Sequence, residues 1–176
     1  MKAKLEINGV SINLGFKTLE FIADILPDCE DNSLIFHELA KSKSSEVRIA
    51  VANKRYLMTE TAKLLLKDSS IMVLCQIIRT DIGVSCLNKN ILTRFIELNS
   101  VRLLKTIIME LDEIVNEFDC CDMTYLVDLL VQHQDPLIKY ELAEMDIPEC
   151  YLKILADDPD LSVARVAKSN LLELED

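Results

Sequence analysis

The first residues alternate between apolar and polar side chains, which is the pattern of a half-buried β-strand. The alternation runs over residues 4–14 and is centred on Asn8 and Gly9. Asn-Gly is the pair most typical of a two-residue hairpin turn, because both positions tolerate positive φ. We therefore predict a short β-hairpin within residues 1–16. Since two strands alone are marginally stable, we expect it to lie against the first helices as a cap.

After Lys17 the apolar positions recur at helical spacing. The spacing predicts helices over residues 18–26, 33–41, 45–54, 59–67, 71–80, 90–99, 100–118, 123–133, 136–145, 148–156 and 161–174. Three prolines, Pro136, Pro148 and Pro159, fall at the predicted joints. The first two suit the first turn of a helix, where a missing N–H removes no hydrogen bond.

The longest predicted helix covers residues 100–118. Its apolar residues follow a three-then-four spacing and share one face: Val101, Leu104, Ile108, Leu111, Val115 and Phe118. Glu110, Glu113 and Glu117 fall on the other side and predict an exposed acidic ridge, continued by Asp119 and Asp122. Such a ridge is also what an ordinary solvated helix face presents.

The chain repeats itself with one period. Residues 39–53 align without gaps on 65–79, and residues 129–143 align on 155–169, each at an offset of 26 residues. Each unit is a helix ending in an apolar pair, a short polar turn, and a second helix. The second helices open at Val47, Val73, Leu137 and Val163. Because such a pair of helices cannot bury its apolar face alone, neighbouring units must stack.

The strings LAKSKSSEVRIAVAN at 39–53 and LADDPDLSVARVA at 155–167 resemble HEAT-like helical repeats, and are closest to the bacterial leucine-rich repeat variant type. The resemblance covers about 90 of the 176 residues and implies an all-α fold, an α-solenoid of HEAT-like helical hairpins that follows the short N-terminal β-hairpin. We predict one domain over 1–176: a hairpin cap at 1–16, N-terminal repeats at 17–80, an irregular middle at 81–122, and acidic C-terminal repeats at 123–176.

Charge is distributed unevenly along the chain. The net charge is −11, but residues 1–109 carry 15 Lys and Arg against 12 Asp and Glu, whereas residues 110–176 carry 4 against 18. An acidic segment of this density repels phosphate backbones and attracts basic surfaces. Direct nucleic-acid binding by the C-terminal part is therefore disfavoured. No apolar run is long enough for a membrane span or a secretory signal, so we expect a cytoplasmic protein.

The residues that carry catalytic or metal chemistry do not form recognisable motifs. His37 and His133 are the only histidines and lie far apart in sequence, and the phosphate-binding glycine motifs are missing. We expect no cofactor, no metal site and no catalysis. The six cysteines form no CxxC pair, and we expect free, structural thiols at Cys29, Cys75, Cys86, Cys120, Cys121 and Cys150.

The leading hypothesis is an inhibitor or immunity-type protein, of the kind found in bacteria, that neutralises a basic partner such as a nuclease toxin. Its predicted contact residues are Glu110, Glu113, Glu117, Asp119, Asp122, Asp135, Asp157, Asp158 and Asp160. The alternative is a generic scaffold or adaptor that binds a peptide or helix in a concave apolar groove. An enzyme of unknown type is the third hypothesis, because catalytic partners meet in space and not along the chain.

Overall fold

The computed structural model describes residues 3–7, 10–117 and 120–174, and most of them are helical. The helices are α1 Phe16–Ile25, α2 Ser33–Leu39, α3 Ser45–Ala52, α4 Thr59–Leu65, α5 Ile71–Ile78, α6 Asp81–Ser85, α7 Lys89–Glu97, α8 Val101–Met109, α9 Leu111–Glu117, α10 Cys120–Val131, α11 Pro136–Ala143, α12 Glu149–Ala156 and α13 Leu161–Glu173. The predicted all-α class is confirmed. Within the described residues no helix is both long and apolar enough to cross a bilayer.

The predicted N-terminal hairpin is also confirmed. Strands β1 (Ala3–Ile7) and β2 (Val10–Leu14) pair antiparallel, with Leu5 opposite Ile12. The predicted turn residues Asn8 and Gly9 lie outside the described residues. Leu5 is 45% exposed and Ile12 is 49% exposed. These two side chains are therefore about half covered, and the expected packing of the hairpin as a cap stays a prediction.

The chain divides into two compact units, unit 1 (residues 1–87) and unit 2 (residues 88–176). In unit 1, α1, α3 and α5 pack side by side in one layer, and α2, α4 and α6 form a second layer. In unit 2, α8, α11 and α13 form one layer, and α7, α10 and α12 form the other. Each unit is therefore built from helices packed in two layers, and the stacked-repeat arrangement that the repeat pattern implies stays a prediction.

Polar side chains tie like helix ends together between α1 and α3 and between α11 and α13, so the two helices of each pair run in the same direction. Beyond the end of α3, Lys54 Nζ donates to the carbonyl oxygens of Asp24 and Leu26, each at 3.1 Å, at the end of α1. In unit 2, Asn170 Nδ2 near the end of α13 donates to the carbonyl oxygen of Ala143, the last residue of α11, at 2.7 Å. These bonds also satisfy carbonyls that a helix end leaves without an internal partner.

A second tie joins the starts of adjacent helices. In unit 1, Arg48 in the first turn of α3 donates to the Asp68 carboxylate through Nε at 2.5 Å and Nη2 at 2.9 Å. Asp68 Oδ1 also accepts the backbone N–H of Ser70, the residue before α5, at 2.8 Å. The carboxylate thus shapes its own turn and holds the preceding helix. We call this arrangement the turn clamp.

Unit 2 contains the same turn clamp. Lys139 in α11 forms a salt bridge with Asp158, whose Oδ1 accepts the backbone N–H of Asp160 at 2.9 Å. Both salt bridges are largely buried, with side chains 14% and 7% exposed for Arg48 and Asp68 and 13% and 8% exposed for Lys139 and Asp158. Burial makes such a pair sensitive to the loss of either member, because the remaining charge has no partner.

In the turn before α11, His133 replaces the carboxylate of the turn clamp as the acceptor of a backbone N–H. Its Nδ1 accepts the backbone N–H of Asp135 at 3.1 Å, which leaves the proton on Nε2, and Nε2 donates to Asn99 Oδ1 at 2.9 Å. His37 is likewise engaged, with Nδ1 at 2.8 Å from Thr61 Oγ1. In the described part of the chain, both histidines have structural partners.

The repeat period in unit 2 is shorter than predicted by one residue. The residues before α3 and α5, Ser44 and Ser70, are 26 positions apart, whereas Asp135 and Asp160 before α11 and α13 are 25 apart. Ile138 is fully buried and corresponds to Val47 and Val73, while Leu137 is 44% exposed. The helix opens near Leu137 as predicted, but the offset of 26 that aligns Leu137 with Val163 is one residue too long, and one residue turns a helix by 100°, which puts Leu137 off the core face.

The predicted helix 100–118 is two helices, α8 and α9, separated by a turn at Glu110. Leu104, Ile108 and Leu111 are buried as predicted, but Val101 is 37% exposed. The apolar spacing continues through the turn, since Ile108 and Leu111 face the core on either side of it. The pattern therefore gave no sign of the break.

The thiols of Cys29, Cys75, Cys86 and Cys150 are free, as expected, and those of Cys120 and Cys121 lie outside the described residues. Cys75 and Cys86 are buried and pack as small apolar side chains, whereas Cys150 is exposed.

The junction of α5 and α6 depends on a glycine. A Cβ built at Gly83 would overlap the backbone carbonyl of Ile77, which cannot move without shifting α5. We expect Gly83→Ala to lower the free energy of unfolding by about 1–3 kcal/mol or more, measured by urea denaturation. Gly15→Ala is the control, because nothing lies within 4 Å of its built Cβ. Equal effects of the two substitutions would contradict the close packing at Gly83.

Candidate partner-binding cleft

Two of the predicted contact residues are helix caps. Asp135 Oδ1 accepts the N–H of Leu137 at 3.0 Å at the start of α11. Asp160 Oδ1 accepts the N–H groups of Ser162 at 2.9 Å and Val163 at 3.3 Å at the start of α13. A carboxylate at this position satisfies free backbone donors and faces the positive end of the helix dipole. The carboxylates of Asp135 and Asp160 are therefore largely engaged by backbone N–H groups of the fold.

Asp158 is also engaged internally, in the turn clamp. Burial by itself raises the pKa of its carboxyl group. The hydrogen bond from Lys139, the backbone N–H of Asp160 and the charge of Lys139 together outweigh burial and hold this pKa below its ordinary value of 3.8. The carboxylate stays ionised and paired, which makes it a poor contact for a partner.

The other predicted contacts lie in two places. Glu110 is half-buried and Glu113 is exposed, at the junction of α8 and α9, while Asp157 is exposed at the end of α12. The side chains of Glu117, Asp119 and Asp122 lie outside the described residues. The predicted ridge therefore stays a prediction, since only Glu110 and Glu113 of its five carboxylates are described.

A different group of acidic residues surrounds a cleft in unit 2. The cleft has a volume of about 540 Å³. Its inner wall is formed by Leu111, Val127 and Ile147, which are 2%, 1% and 3% exposed. Exposed acidic residues stand at its rim: Asp112, Asp146 and Glu149. Leu174, 57% exposed, adds an apolar side chain at the edge.

A second cavity of about 350 Å³ adjoins the first and shares Asp146 and Leu174 with it. It adds two more exposed carboxylates, Glu144 and Glu173. We call the two cavities together the acidic cleft. Its described wall contains five carboxylates and no Lys or Arg side chain. Lys153 nearby pairs with Glu149 at 2.6 Å, but both side chains are more than half exposed, so this pair is weak.

Helix ends add to the negative potential of the acidic cleft. Glu144 and Asp146 follow the C-terminal end of α11, and Glu173 is the last residue of α13. The C-terminal end of a helix carries a partial negative charge that favours cations and disfavours carboxylates. Acidic residues at these positions do not stabilise their own helices. All three are exposed, but Glu144 accepts a hydrogen bond from the Tyr140 hydroxyl, so Asp146 and Glu173 are the more accessible to a positively charged ligand.

Buried contacts hold the wall in place. Tyr151 of α12 packs on α10, where its hydroxyl donates to the carbonyl oxygen of Thr124 at 3.3 Å. Burial, together with the hydrogen bond to the Asp128 carboxylate, raises the pKa of Tyr151 to about 12. The phenol therefore stays protonated, and its single O–H is shared between the Thr124 carbonyl and the Asp128 carboxylate. Val127 of the same helix α10 lines the cleft together with Asp146.

Unit 1 has a cavity at the corresponding place, but with the opposite charge. This cavity, of about 480 Å³, lies where α3 and α5 end and is lined by Asn53, Arg55, Gln76, Arg79, Thr80, Asp81 and Ile82. With the helix starts aligned, Asn53 corresponds to Glu144, Arg55 to Asp146, and Thr80 to Asn170. The fold itself supplies a hollow at this position, and the sequence of unit 2 makes it acidic.

The acidic cleft was not predicted from the sequence, because the density of carboxylates along the chain does not distinguish those that cap a helix start from those that follow a helix end. A usable signal was present: Asp135 and Asp160 precede helices and therefore cap them, whereas Glu144 and Asp146 follow one. The described part of the chain holds no group of three or more His, Cys, Asp or Glu side chains placed to bind a metal ion.

Comparison with protein-family models, with curated proteins and with solved structures finds no match to this chain. The resemblance to HEAT-like repeats thus stays a prediction.

The low pKa of Asp158 predicts a pH-dependent effect of Asp158→Asn. Because the folded-state pKa lies below 3.8, the ionised form is stabilised by folding. This contribution is complete above the ordinary pKa and is lost as the pH falls through the folded-state value. We expect Asp158→Asn to lower the free energy of unfolding by about 1–3 kcal/mol at neutral pH, with a smaller difference from the parent chain in acid.

The measurement is urea unfolding of both chains at a series of pH values, with Asp157→Asn as the exposed neighbouring control. A difference between Asp158→Asn and the parent chain that does not change with pH would show that the ion pair is not the cause.

Proposed function

We propose that this chain is a non-catalytic protein-binding module whose acidic cleft binds a basic protein partner. An inhibitor or immunity-type protein that neutralises a basic protein, such as a nuclease toxin, would work in this way. The observation that carries the proposal is the acidic cleft itself, where five carboxylates and two helix C-termini surround an apolar wall.

The charge of the two units supports a basic partner. Unit 1 contains 11 Lys and Arg and 11 Asp and Glu, whereas unit 2 contains 8 and 19, so the net charge of −11 belongs to unit 2. Two of the cations in unit 2, Lys105 and Lys139, are paired with Glu141 and Asp158. A strong field of one sign speeds the encounter with an oppositely charged protein.

The apolar wall of the acidic cleft also restricts which ligands can bind, because a ligand with charge alone would not cover it. A ligand that fills the acidic cleft should present an apolar side chain to Leu111, Val127 and Ile147, flanked by Lys or Arg that reach Asp112 and Asp146. An amphipathic basic segment has this chemistry. The same wall supports the second candidate function, an adaptor that binds a peptide or helix of a larger assembly, in a stacked HEAT-like scaffold.

Binding should depend on the carboxylates of the acidic cleft more than on those of the predicted ridge. We expect Asp112→Asn with Asp146→Asn to weaken the binding of a fluorescent Lys/Leu amphipathic peptide. The expected loss is about 1.4-fold to fivefold for each charge, because an exposed ion pair contributes about 0.2–1 kcal/mol. The matched control, Glu113→Gln with Asp157→Asn, removes the same charge elsewhere in unit 2 and should have a smaller effect. If the control weakened binding more, the contact would lie at the originally predicted residues.

Binding should also require the apolar part of the ligand. A Lys/Ser peptide of equal charge should bind more weakly than the Lys/Leu peptide, and Leu174→Ser should reduce the preference between them. Leu161→Ser is the control, since Leu161 is 84% exposed and lies outside the lining of the acidic cleft.

Association should slow as ionic strength rises, because the Debye length falls from about 30 Å at 0.01 M to about 3 Å at 1 M. Stopped-flow anisotropy with the Lys/Leu peptide measures this rate. A rate that does not change over this range would exclude electrostatic steering by unit 2.

A further inference from the structure

The first helix of unit 1 presents an apolar face to solvent. Leu19 and Ala23 of α1 are buried against its neighbours, being 3% and 0% exposed. Phe21 and Ile25 are 61% and 59% exposed. Phe21 is two residues from Leu19, about 200° around the helix, and Ile25 follows Phe21 by one turn. The outward face of α1 therefore carries two large apolar side chains.

The exposed apolar surface continues beyond α1. Leu34 and Ile35 in the first turn of α2, which packs on α1, are 68% and 44% exposed. Phe16 at the start of α1 is 48% exposed. Isolated exposed apolar side chains are ordinary, but a set that follows two packed helices is typical of a surface that another protein covers. A stack of helical repeats normally ends in a polar face.

Two charges flank Phe21 on the same side of α1. Lys17 lies one turn before Phe21 and Asp24 lies about one turn after it. Both are exposed, and neither forms an ion pair within the described residues. When two such helices meet antiparallel about a twofold axis near Phe21, Lys17 of each copy faces Asp24 of the other. The face is thus complementary to itself, as a twofold interface requires.

We propose that the outward face of α1 is a self-association surface, on which a second copy of this chain docks antiparallel through Phe21, with Lys17 and Asp24 paired across the axis. The charge balance of the units agrees with this choice. Unit 1 has 11 cationic and 11 acidic residues, so two copies of it meet without net repulsion, whereas unit 2 has 8 against 19. The second copy covers an apolar face that unit 1 leaves open.

Sedimentation velocity of the full chain over a concentration series tests the proposal. The expected result is a sedimentation coefficient that rises with concentration to the value of a dimer. Phe21→Asp should raise the dimer dissociation constant by about tenfold or more, since burial of one large apolar side chain contributes about a factor of ten or more. Leu161→Ser, which removes an exposed apolar side chain from unit 2, should leave the dissociation constant unchanged.

Exchange of the charges at positions 17 and 24 tests whether Lys17 of each copy faces Asp24 of the other. Lys17→Asp and Asp24→Lys should each weaken self-association several-fold, because each places like charges opposite one another twice in the dimer. The double variant should restore it, and a mixture of the two single variants should form a mixed dimer. Circular dichroism confirms that each variant is folded. A parent chain that stays monomeric, or single variants that do not recover on mixing, would overturn the proposal.

Discussion

The packing of helices within each unit depends on one arrangement, the turn clamp, in which a carboxylate binds the backbone N–H two residues ahead and a cation from the preceding helix. Asp68 with Arg48 and Asp158 with Lys139 provide it in the two units. The first bond shapes the turn and the second fixes the neighbouring helix beside it, so local and tertiary structure are set by the same side chain. At the C-terminal ends of the helices, hydrogen bonds from Lys54 and Asn170 to backbone carbonyl oxygens also hold neighbouring helices side by side. Neighbouring helix ends then lie together, as those of α3 and α5 and those of α11 and α13 do.

The carboxylates of unit 2 are of two kinds, according to whether they lie at the start or near the end of a helix. Those at helix starts, such as Asp135 and Asp160, are stabilised by backbone donors and by the helix dipole. Those near helix ends, such as Glu144 and Glu173, are opposed by the dipole and remain exposed. A local electrostatic conflict of this sort persists when it serves a purpose elsewhere. The proposed purpose is attraction of a positively charged protein segment toward the apolar wall beside these residues.

The secondary structure could be predicted from the sequence, but the residues that line the acidic cleft could not. The hairpin, the helical class and the paired helices follow from periodicity, because burial imposes it. Single-residue changes in turn length do not alter periodicity enough to be seen, so Leu137 was placed where Ile138 belongs. The turn at Glu110 was missed because apolar positions on both sides keep their spacing. Asp158 was taken as a surface charge because its partner, Lys139, lies 19 residues away and is brought close only by the stacking of α11 on α13.

The hollow at the helix ends occurs in both units with unrelated linings, Arg55 in one and Asp146 at the matching position of the other. Neither residue belongs to the buried core or to a turn clamp. The charge of the hollow is therefore set at positions separate from those that hold the helices together, so it can change from unit to unit without loss of the helix packing. A chain built of further such units would carry one hollow per unit, each with a charge set independently of the others.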